Sequence, residues 1–572
     1  MNTGGTTRRI KKGEKIGVAT SVRILKQDKV GPEETEEETD TDEILKKLKI
    51  EENELLQENP QVKEELKRVI RDYADVFAAP KCQIGTTDLI QFDIELKDDA
   101  KPVKHRLRPL NPKQRKSLRA QMDLWLKEGV IEESNSPWGS ALVPAFKKGD
   151  TGDNIRWAVD YRSLNSQTVG DSFPIPSIEE NLEKLQGSSC FSAIDASAAY
   201  HVIKVGEKSK PYLAFLTPWG TYTFKKMPFG AKNAGSTYSR LVELSIMKLR
   251  SPNVLAYLDD IIVATQRKKG LMDHVRELEN VLSIHREAGI KIRAEKTHLM
   301  RKEVDYLGYR VTEEGIKMKE SYVEKITMWP TPKTVKELAT FIGFTSYYRS
   351  FIPEYSYLTN EMNAMKKETK LKWDENLEEK FKKLKEAFSK APIRSYPDYS
   401  NEEPFELATD FSADNVAVIL SQKQDGKERF IAAAGRKTTR YEKNYHSAKG
   451  ELSAIIYGLR KFEHILRYKK FIIHTDSSAL TYLQTMKKLT GIYFRWLSEL
   501  QSFEFQIKHR PGKKNLNADA LSRSKHLREP TKEEEDEQAE YIHSLHELGR
   551  KLTRENIINC LLYTSPSPRD GW

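Results

Sequence analysis

The sequence predicts a multidomain α/β (α+β) fold on three observations. From about residue 60 onward, short apolar stretches of strand length alternate with stretches of helical period. Several of the strand-like stretches end on an acid, as in FSAID and KFIIHTD. From Pro404 the texture changes to three short strands, a helix and a further strand, which marks a second α/β unit. A chain of 572 residues has the length for about three or four domain-sized units.

Composition narrows the class. Apolar residues make up 38% and charged residues 31%, with a formal charge of +11 and a pI near 9.0. This balance suits a large enzyme working on a polyanion, and it equally suits a lysine-rich solvated surface. Cys82, Cys190 and Cys560 form no disulfide framework and no zinc spacing. No apolar run approaches the roughly 20 residues of a membrane span, and no secretory h-region opens the chain. A soluble, intracellular protein without a membrane partner is expected.

Residues 1–60 turn from basic to acidic and read as a disordered or charged segment. A helix follows over 60–79, and another, SLRAQMDLWLKEG, stops at Gly129. NIRWAVDYRSLN holds a strand with basic residues at both ends. IEENLEKLQG places Ile178, Leu182 and Leu185 on one helical face, and FSAID is a strand finishing on Asp195. MPFGAKNAGSTYSRLVE is a glycine-containing loop opening a helix.

Next comes Tyr257-Leu258-Asp259-Asp260. Its two aspartates are the only charges between Asn253 and Thr265, flanked by VLAYL and IIVA. Two apolar runs so joined predict a β-hairpin with the carboxylates at its turn. Neighbouring side chains on a straight strand point to opposite faces, so a turn is needed to bring both acids to one site. Taken alone, the motif reads equally well as a solvated acidic turn.

In the second unit PFELATD ends on Asp410, and a helix from about Ser447 carries Glu451 in its first turns. KFIIHTD ends on Asp476, and NADALSR carries Asp519. Four acids at strand ends and helix starts suit two-metal phosphodiester hydrolysis.

The ordered blocks SPW (136–138), RWAVDYRSLN (156–165), FSAIDASAAYHVI (191–203), MPFGAKNA (227–234), YLDD, YLGYRVTEEGI (306–316) and KELATFIGFTSYYRSFIP (336–353) together resemble the reverse transcriptase region of a gypsy-like LTR-retrotransposon Pol polyprotein. TDFS, KGELSAI, HTDSSAL and RPGKKNLNADALSR resemble its RNase H blocks, so the likeness runs from about residue 65 to 526. It implies a right-hand polymerase, with fingers and palm over 61–320 and thumb and connection over 321–400. An RNase H-like domain over 401–526 and an acidic linker and tail over 527–572 follow. The last residues, CLLYTSPSPRDGW, fit neither the preceding helix nor the family and are expected to come from a truncated or chimeric reading frame.

The expected activity is RNA- and DNA-directed DNA synthesis with cleavage of the RNA of the hybrid. The competing class is an inactive, co-opted nucleic-acid-binding or packaging protein. Polymerisation needs an activated 3′ hydroxyl and a neutralised pyrophosphate, which two Mg²⁺ ions about 3.5–4 Å apart accomplish. Hard cations prefer carboxylate oxygens, so Asp195, Asp259 and Asp260 are expected as catalytic metal ligands. Asp410, Glu451, Asp476 and Asp519 are expected to hold a second pair, with Mn²⁺ as the alternative ion. The resemblance further implies a sugar-sensing ring at Tyr200, triphosphate contacts at Lys147 or Lys148 and at Arg156, and a dNTP and template floor at Phe229 and Gly230. His509 matches a histidine that assists product release or proton transfer, and equally reads as a solvated residue beside Pro-Gly. Ala199, Val202 and Gly235 depart from the family pattern in the nucleotide pocket, where they bear on fidelity and dNTP affinity. Implied partners are RNA template, DNA primer, RNA–DNA hybrid and dNTPs, with capsid, protease and integrase as parts of the same polyprotein. The implied location is cytoplasmic virus-like particles.

Overall fold

A computed structural model describes residues 41–78, 84–146, 155–174, 177–475 and 492–509. Its organising sheet has four strands in the order His298–Arg301, Ser188–Asp195, Asp260–Gln266, Val254–Tyr257, all antiparallel. Both faces of this palm sheet are covered. Ile194, Val254, Ile261 and Val263 join one apolar core, while Phe191, Leu255, Ile262 and Ala264 join another. Double burial explains why VLAYL and IIVA read as unbroken apolar runs and not as alternation.

A five-stranded fingers sheet precedes the palm in space, ordered Ile131–Glu133, Gly220–Phe224, Phe215–Thr217, Ser140–Phe146, Ile155–Asp160. The helix Pro112–Lys127 packs on it, begun by an Asn111–Gln114 capping box; Gly129, just past its end, takes φ +63°.

Within the segment expected to be disordered or charged, residues 41–60 are charged but ordered. Helices Thr41–Lys47 and Glu54–Gln57, with the turn that joins them, bury Ile44, Leu45, Leu48, Ile50 and Leu56, and the Asn53 amide donates to the carbonyls of Leu299 and Met300. Surface charge in this stretch coexists with an apolar face that docks behind the palm.

Beyond the palm, Glu303–Tyr306 and Tyr309–Thr312 form a hairpin whose two turn residues, Leu307 and Gly308, both take positive φ. The hydroxyls of Tyr347 and Tyr348 donate to the Leu307 and Gly308 carbonyls at 2.6 and 2.9 Å, so these two rings of TSYYRSFIP serve packing. Helices Val335–Ser346, Tyr355–Met365 and Glu375–Ser389 complete this thumb-side core around Phe341, Phe351 and Phe381.

The second unit is a five-stranded sheet ordered Lys427–Lys437, Asn415–Gln424, Phe405–Phe411, Phe471–Thr475, Phe505–His509, the last two running parallel to Phe405–Phe411. Helix Ser447–Lys461 lays Leu452, Ile455, Ile456 and Leu459 onto it. The helix ends at Lys461, and after Phe462 a short helix, Glu463–Leu466, follows. No helix among the described residues is long and apolar enough to cross a membrane.

Candidate active site

The palm places Asp195 at the last position of its strand and Asp260 at the first position of the neighbouring strand, directly opposite each other. The hairpin turn is Leu258-Asp259, and Leu258 takes φ +54°. The sequence puts both acids at the turn; in the structure only Asp259 is there, and Asp260 begins the ladder. A bulky residue in the left-handed region costs on the order of 1–3 kcal/mol, a strain typical of functional turns. The arrangement solves the two-face problem differently from expectation, since Asp260 pairs across the sheet with Asp195 while Asp259 adjoins from the turn.

The three carboxylates sense one another. Burial first, then the charges of Asp259 and Asp195, push the Asp260 carboxyl above its ordinary range, with Lys319 and Lys296 opposing. Asp195 is likewise raised, chiefly by burial, against Lys296 and Arg293. Among the described residues no three carboxylate, histidine or cysteine side chains close tightly enough to hold a metal ion by themselves. The donor set still fits a hard divalent cation: three adjoining carboxylates, two of which, Asp195 and Asp260, are held above their ordinary pKa by burial and like charge that a cation would relieve. Magnesium sites are commonly completed by substrate phosphates and water and not by an all-protein cage.

Tyr200 sits on the turn Ala199–Val202, entered through Ala198 at φ +48°. Its ring stacks on Tyr238, with centroids 5.5 Å apart and planes 11° apart, and leans on Phe229 at 4.9 Å. Its hydroxyl lies 3.8 Å from where a Cβ on Gly235 would stand. Phe229 is 56% exposed, so it presents a face to whatever occupies the site. Gly230 takes φ +85°, which suits glycine.

Several residues of this pocket went unseen in the sequence. Asn165 donates to the Gly230 carbonyl at 2.9 Å and accepts from the Lys232 N–H at 2.8 Å. Asn233, at φ +69°, donates to the Val169 carbonyl and accepts from the Asp171 N–H, and Asp171 receives both nitrogens of the Arg240 fork. His201 is buried against the Met227 carbonyl, and burial lowers its pKa to about 4, so it stays neutral beneath Phe229. A polar residue three positions after an arginine, as Asn165 is, or three after a glycine, as Asn233 is, carries no signal that a loop more than 60 residues away needs holding.

Arg156 is exposed on Ile155–Asp160, opposite Ala145. Lys147 and Lys148 lie outside the described residues.

In the second sheet Asp410 is the penultimate residue of Phe405–Phe411, and Glu451 lies in the first turns of Ser447–Lys461. Both are nearly buried, at 9% and 3% exposure, and the Phe411 N–H donates to Glu451 Oε1 at 3.2 Å. That bond brings the helix acid to the strand end where Asp410 sits. Asp476 and Asp519 lie outside the described residues. His509 ends an edge strand level with Thr475, with the Phe471–Thr475 strand between it and the strand of Asp410.

A family model described as reverse transcriptase (RNA-dependent DNA polymerase) matches residues 146–311, and one described as the RNase H-like domain found in reverse transcriptase matches 400–503. The chain is 35% identical over 429 residues to the retrovirus-related Pol polyprotein from transposon 297 of Drosophila melanogaster, covering 74% of this chain and 40% of that one. It is 30% identical over 473 residues to the Pol polyprotein from transposon opus of the same organism, covering 80% and 47%. To the transposon Tf2-3 polyprotein of Schizosaccharomyces pombe it is 30% identical over 494 residues, covering 84% and 36%. The chain thus spans less than half the length of these curated relatives. Among solved structures, a foamy viral protease-reverse transcriptase in complex with RNA/DNA hybrid aligns with a TM-score of 0.70 at 21% identity, over 86% of this chain and 65% of that one. The same enzyme in complex with dsDNA aligns with a TM-score of 0.71 at 22% identity, over 82% and 97%. These two likenesses establish the shared fold. With both domains matched in order and Pol polyproteins as its relatives, the chain belongs to the retrovirus-related Pol family of gypsy-like LTR retrotransposons, of which it carries the reverse transcriptase and RNase H-like domains.

Proposed function

We propose that this chain is an RNA- and DNA-directed DNA polymerase whose second domain cleaves the RNA strand of the hybrid it makes. The observation that carries the reading is Asp195 facing Asp260 across one antiparallel pair, with Asp259 on the adjoining turn. Two divalent ions, Mg²⁺ or Mn²⁺, would supply activation of the 3′ hydroxyl and neutralisation of the pyrophosphate at this trio, and activation of water at the second acidic site.

The chain's own groups set the rest. Asp195, Asp259 and Asp260 would hold the two cations at the ends of the central palm strands. The Tyr200 ring, braced by Tyr238 and Phe229, lies where a bulky face under the sugar excludes a 2′ hydroxyl, which makes the product DNA. Gly230, held by Asn165, lets the backbone approach the base pair closely. Arg156 and Lys147 or Lys148 neutralise the triphosphate, arginine as a fork and lysine as a point charge. Asp410, Glu451, Asp476 and Asp519 form the hydrolytic site, with His509 assisting product release. RNA template, DNA primer, hybrid and dNTPs are the ligands. The setting is a cytoplasmic virus-like particle, with capsid, protease and integrase in the same polyprotein.

Primer extension on a labelled RNA template tests this, reading DNA synthesis and RNA cleavage together with divalent ion and with chelator. Both activities, metal-dependent, are expected. Tight, salt-sensitive hybrid binding with neither activity would instead favour the packaging protein.

A further inference from the structure

Among the described residues the RNase H-like sheet and the polymerase-like body do not share an apolar core: Phe405, Leu407, Ile455 and Phe471 belong to one cluster, and Phe191, Phe341 and Phe351 to another. Between them lies a cavity of about 610 Å³, lined among others by Tyr309, Arg349, Tyr355, Arg436, Tyr457 and Lys461. With no shared apolar core, polar contacts hold much of the weight of the docking.

Arg394 is the centre of those contacts. It is 7% exposed, and its backbone pairs with Ile316 at the edge of Gly315–Met318, at 2.7 and 3.0 Å. A Cβ on Gly315 would fall onto the Arg394 carbonyl, so only glycine permits this approach. From there the guanidinium reaches three bodies. Nε donates to the Ile431 carbonyl of the RNase H-like sheet at 3.0 Å, Nη1 to Ser350 Oγ on the thumb side at 2.8 Å, and Nη2 to Glu179 of the palm helix Ile178–Glu183 at 3.1 Å. One turn further along that helix, Glu183 meets His464 of the RNase H-like domain at 3.1 Å. Between the two acids, Asn181 donates to the Ala256 carbonyl at 3.3 Å, on the strand that runs directly into Leu258-Asp259. One short helix therefore bonds the catalytic hairpin on one side and the second domain on the other.

We infer that Arg394 and His464, gripping Glu179 and Glu183, form a latch that holds the RNase H-like domain at a set position against the palm and so sets how many hybrid base pairs separate the primer 3′ end from the RNA cut. This rests on the two-activity reading above. Arg394 is a positioning residue: its planar fork serves three acceptors in different bodies at once, which an ammonium on a flexible stem does not reproduce.

The test uses the full chain with Cys82→Ser and Cys560→Ser, spin-labelled at Lys268→Cys in the palm and Lys427→Cys in the RNase H-like domain, both exposed. Distance distributions and RNA cut positions on a primed RNA template are read together. Wild type is expected to give a narrow distance distribution and one dominant cut. Glu179→Gln with Glu183→Gln, two partly exposed acids whose loss leaves Arg394 in place, should broaden the distances and spread the cuts over neighbouring positions, while primer-extension rate stays unchanged. Arg394→Lys should do the same. An unchanged distance distribution in the double variant overturns the latch, whatever the activities do. An inactive wild type whose variant distances nevertheless broaden keeps the latch and retires the two-activity reading. Broadened distances with an unchanged cut position overturn the assignment of cut spacing to the latch.

Discussion

Asp260 faces Asp195 across the antiparallel pair that joins the two central palm strands, the last residue of one strand opposite the first of the other. Like charges directly opposite each other destabilise a sheet, and here a third carboxylate, Asp259, adds to the repulsion. The sheet tolerates this because Ile194, Ile261, Ile262 and Val263 behind the pair are buried and hold the register. The palm carboxylate site is thus a place where stability is given up to concentrate negative charge.

Asp260→Asn should raise the Tm of the metal-free protein at neutral pH. The Asp260 carboxyl is held above its ordinary 3.8, so the folded state binds its proton more tightly than the unfolded state does. Its stabilising share is full below that ordinary value and is lost as pH rises through the raised one. Wild type and variant should therefore converge in acid and diverge toward neutrality. Added Mg²⁺ should stabilise wild type more than the variant. Thermal scans across pH, with and without Mg²⁺, check both signs.

Tyr200→Ala should admit ribonucleotides, while Tyr200→Phe should not. Removing the ring opens the volume between Phe229 and Tyr238 and should cut the dNTP-over-rNTP ratio of kcat/KM on the order of 10–200-fold. Single-nucleotide incorporation measures this, and an unchanged ratio sinks the sugar-sensing role.

Asn165→Ala should loosen the Phe229–Lys232 loop by removing its two bonds to Gly230 and Lys232. Each such bond is worth about 1 kcal/mol net. The expected result is a fall in kcat/KM for dNTPs on the order of 5–30-fold with hybrid cleavage unchanged. Steady-state incorporation and cleavage of a preformed hybrid separate the two.

Docking of the second domain should weaken with rising pH. The Glu183 carboxylate holds His464 above its ordinary 6.5, against burial and against Lys461, with Glu179 adding in the same sense. The contact is fully present below 6.5 and is lost as pH climbs through the raised value. His464→Gln should therefore broaden the palm-to-RNase H distance below pH 6.5 and converge with wild type as pH rises through the raised value. A variant equal to wild type at both pH values contradicts the charged contact.

How far the sequence carried depended on the range of each interaction. Asp195 and Asp259 were legible because an acid after an apolar run at a strand end is a local pattern. The place of Asp260 within the strand was not, because it depends on Leu258 adopting a left-handed turn that propensity disfavours. The helix Thr41–Lys47 was hidden by the acidic run before it, although Ile44, Leu45 and Leu48 already carry a helical spacing. Asn165 and Arg394 were invisible in principle: their partners Gly230 and Glu179 are remote in sequence, and only the folded chain brings them together.

The central claim is that two separate acidic sites on one chain act on one hybrid. It is tested most directly by following DNA synthesis and RNA cleavage on a single labelled RNA template-primer with wild type, Asp259→Asn and Asp476→Asn. Asp259→Asn is expected to abolish synthesis and spare cleavage of a preformed hybrid, while Asp476→Asn does the reverse. Loss of both activities in both variants, each still folded, would contradict it.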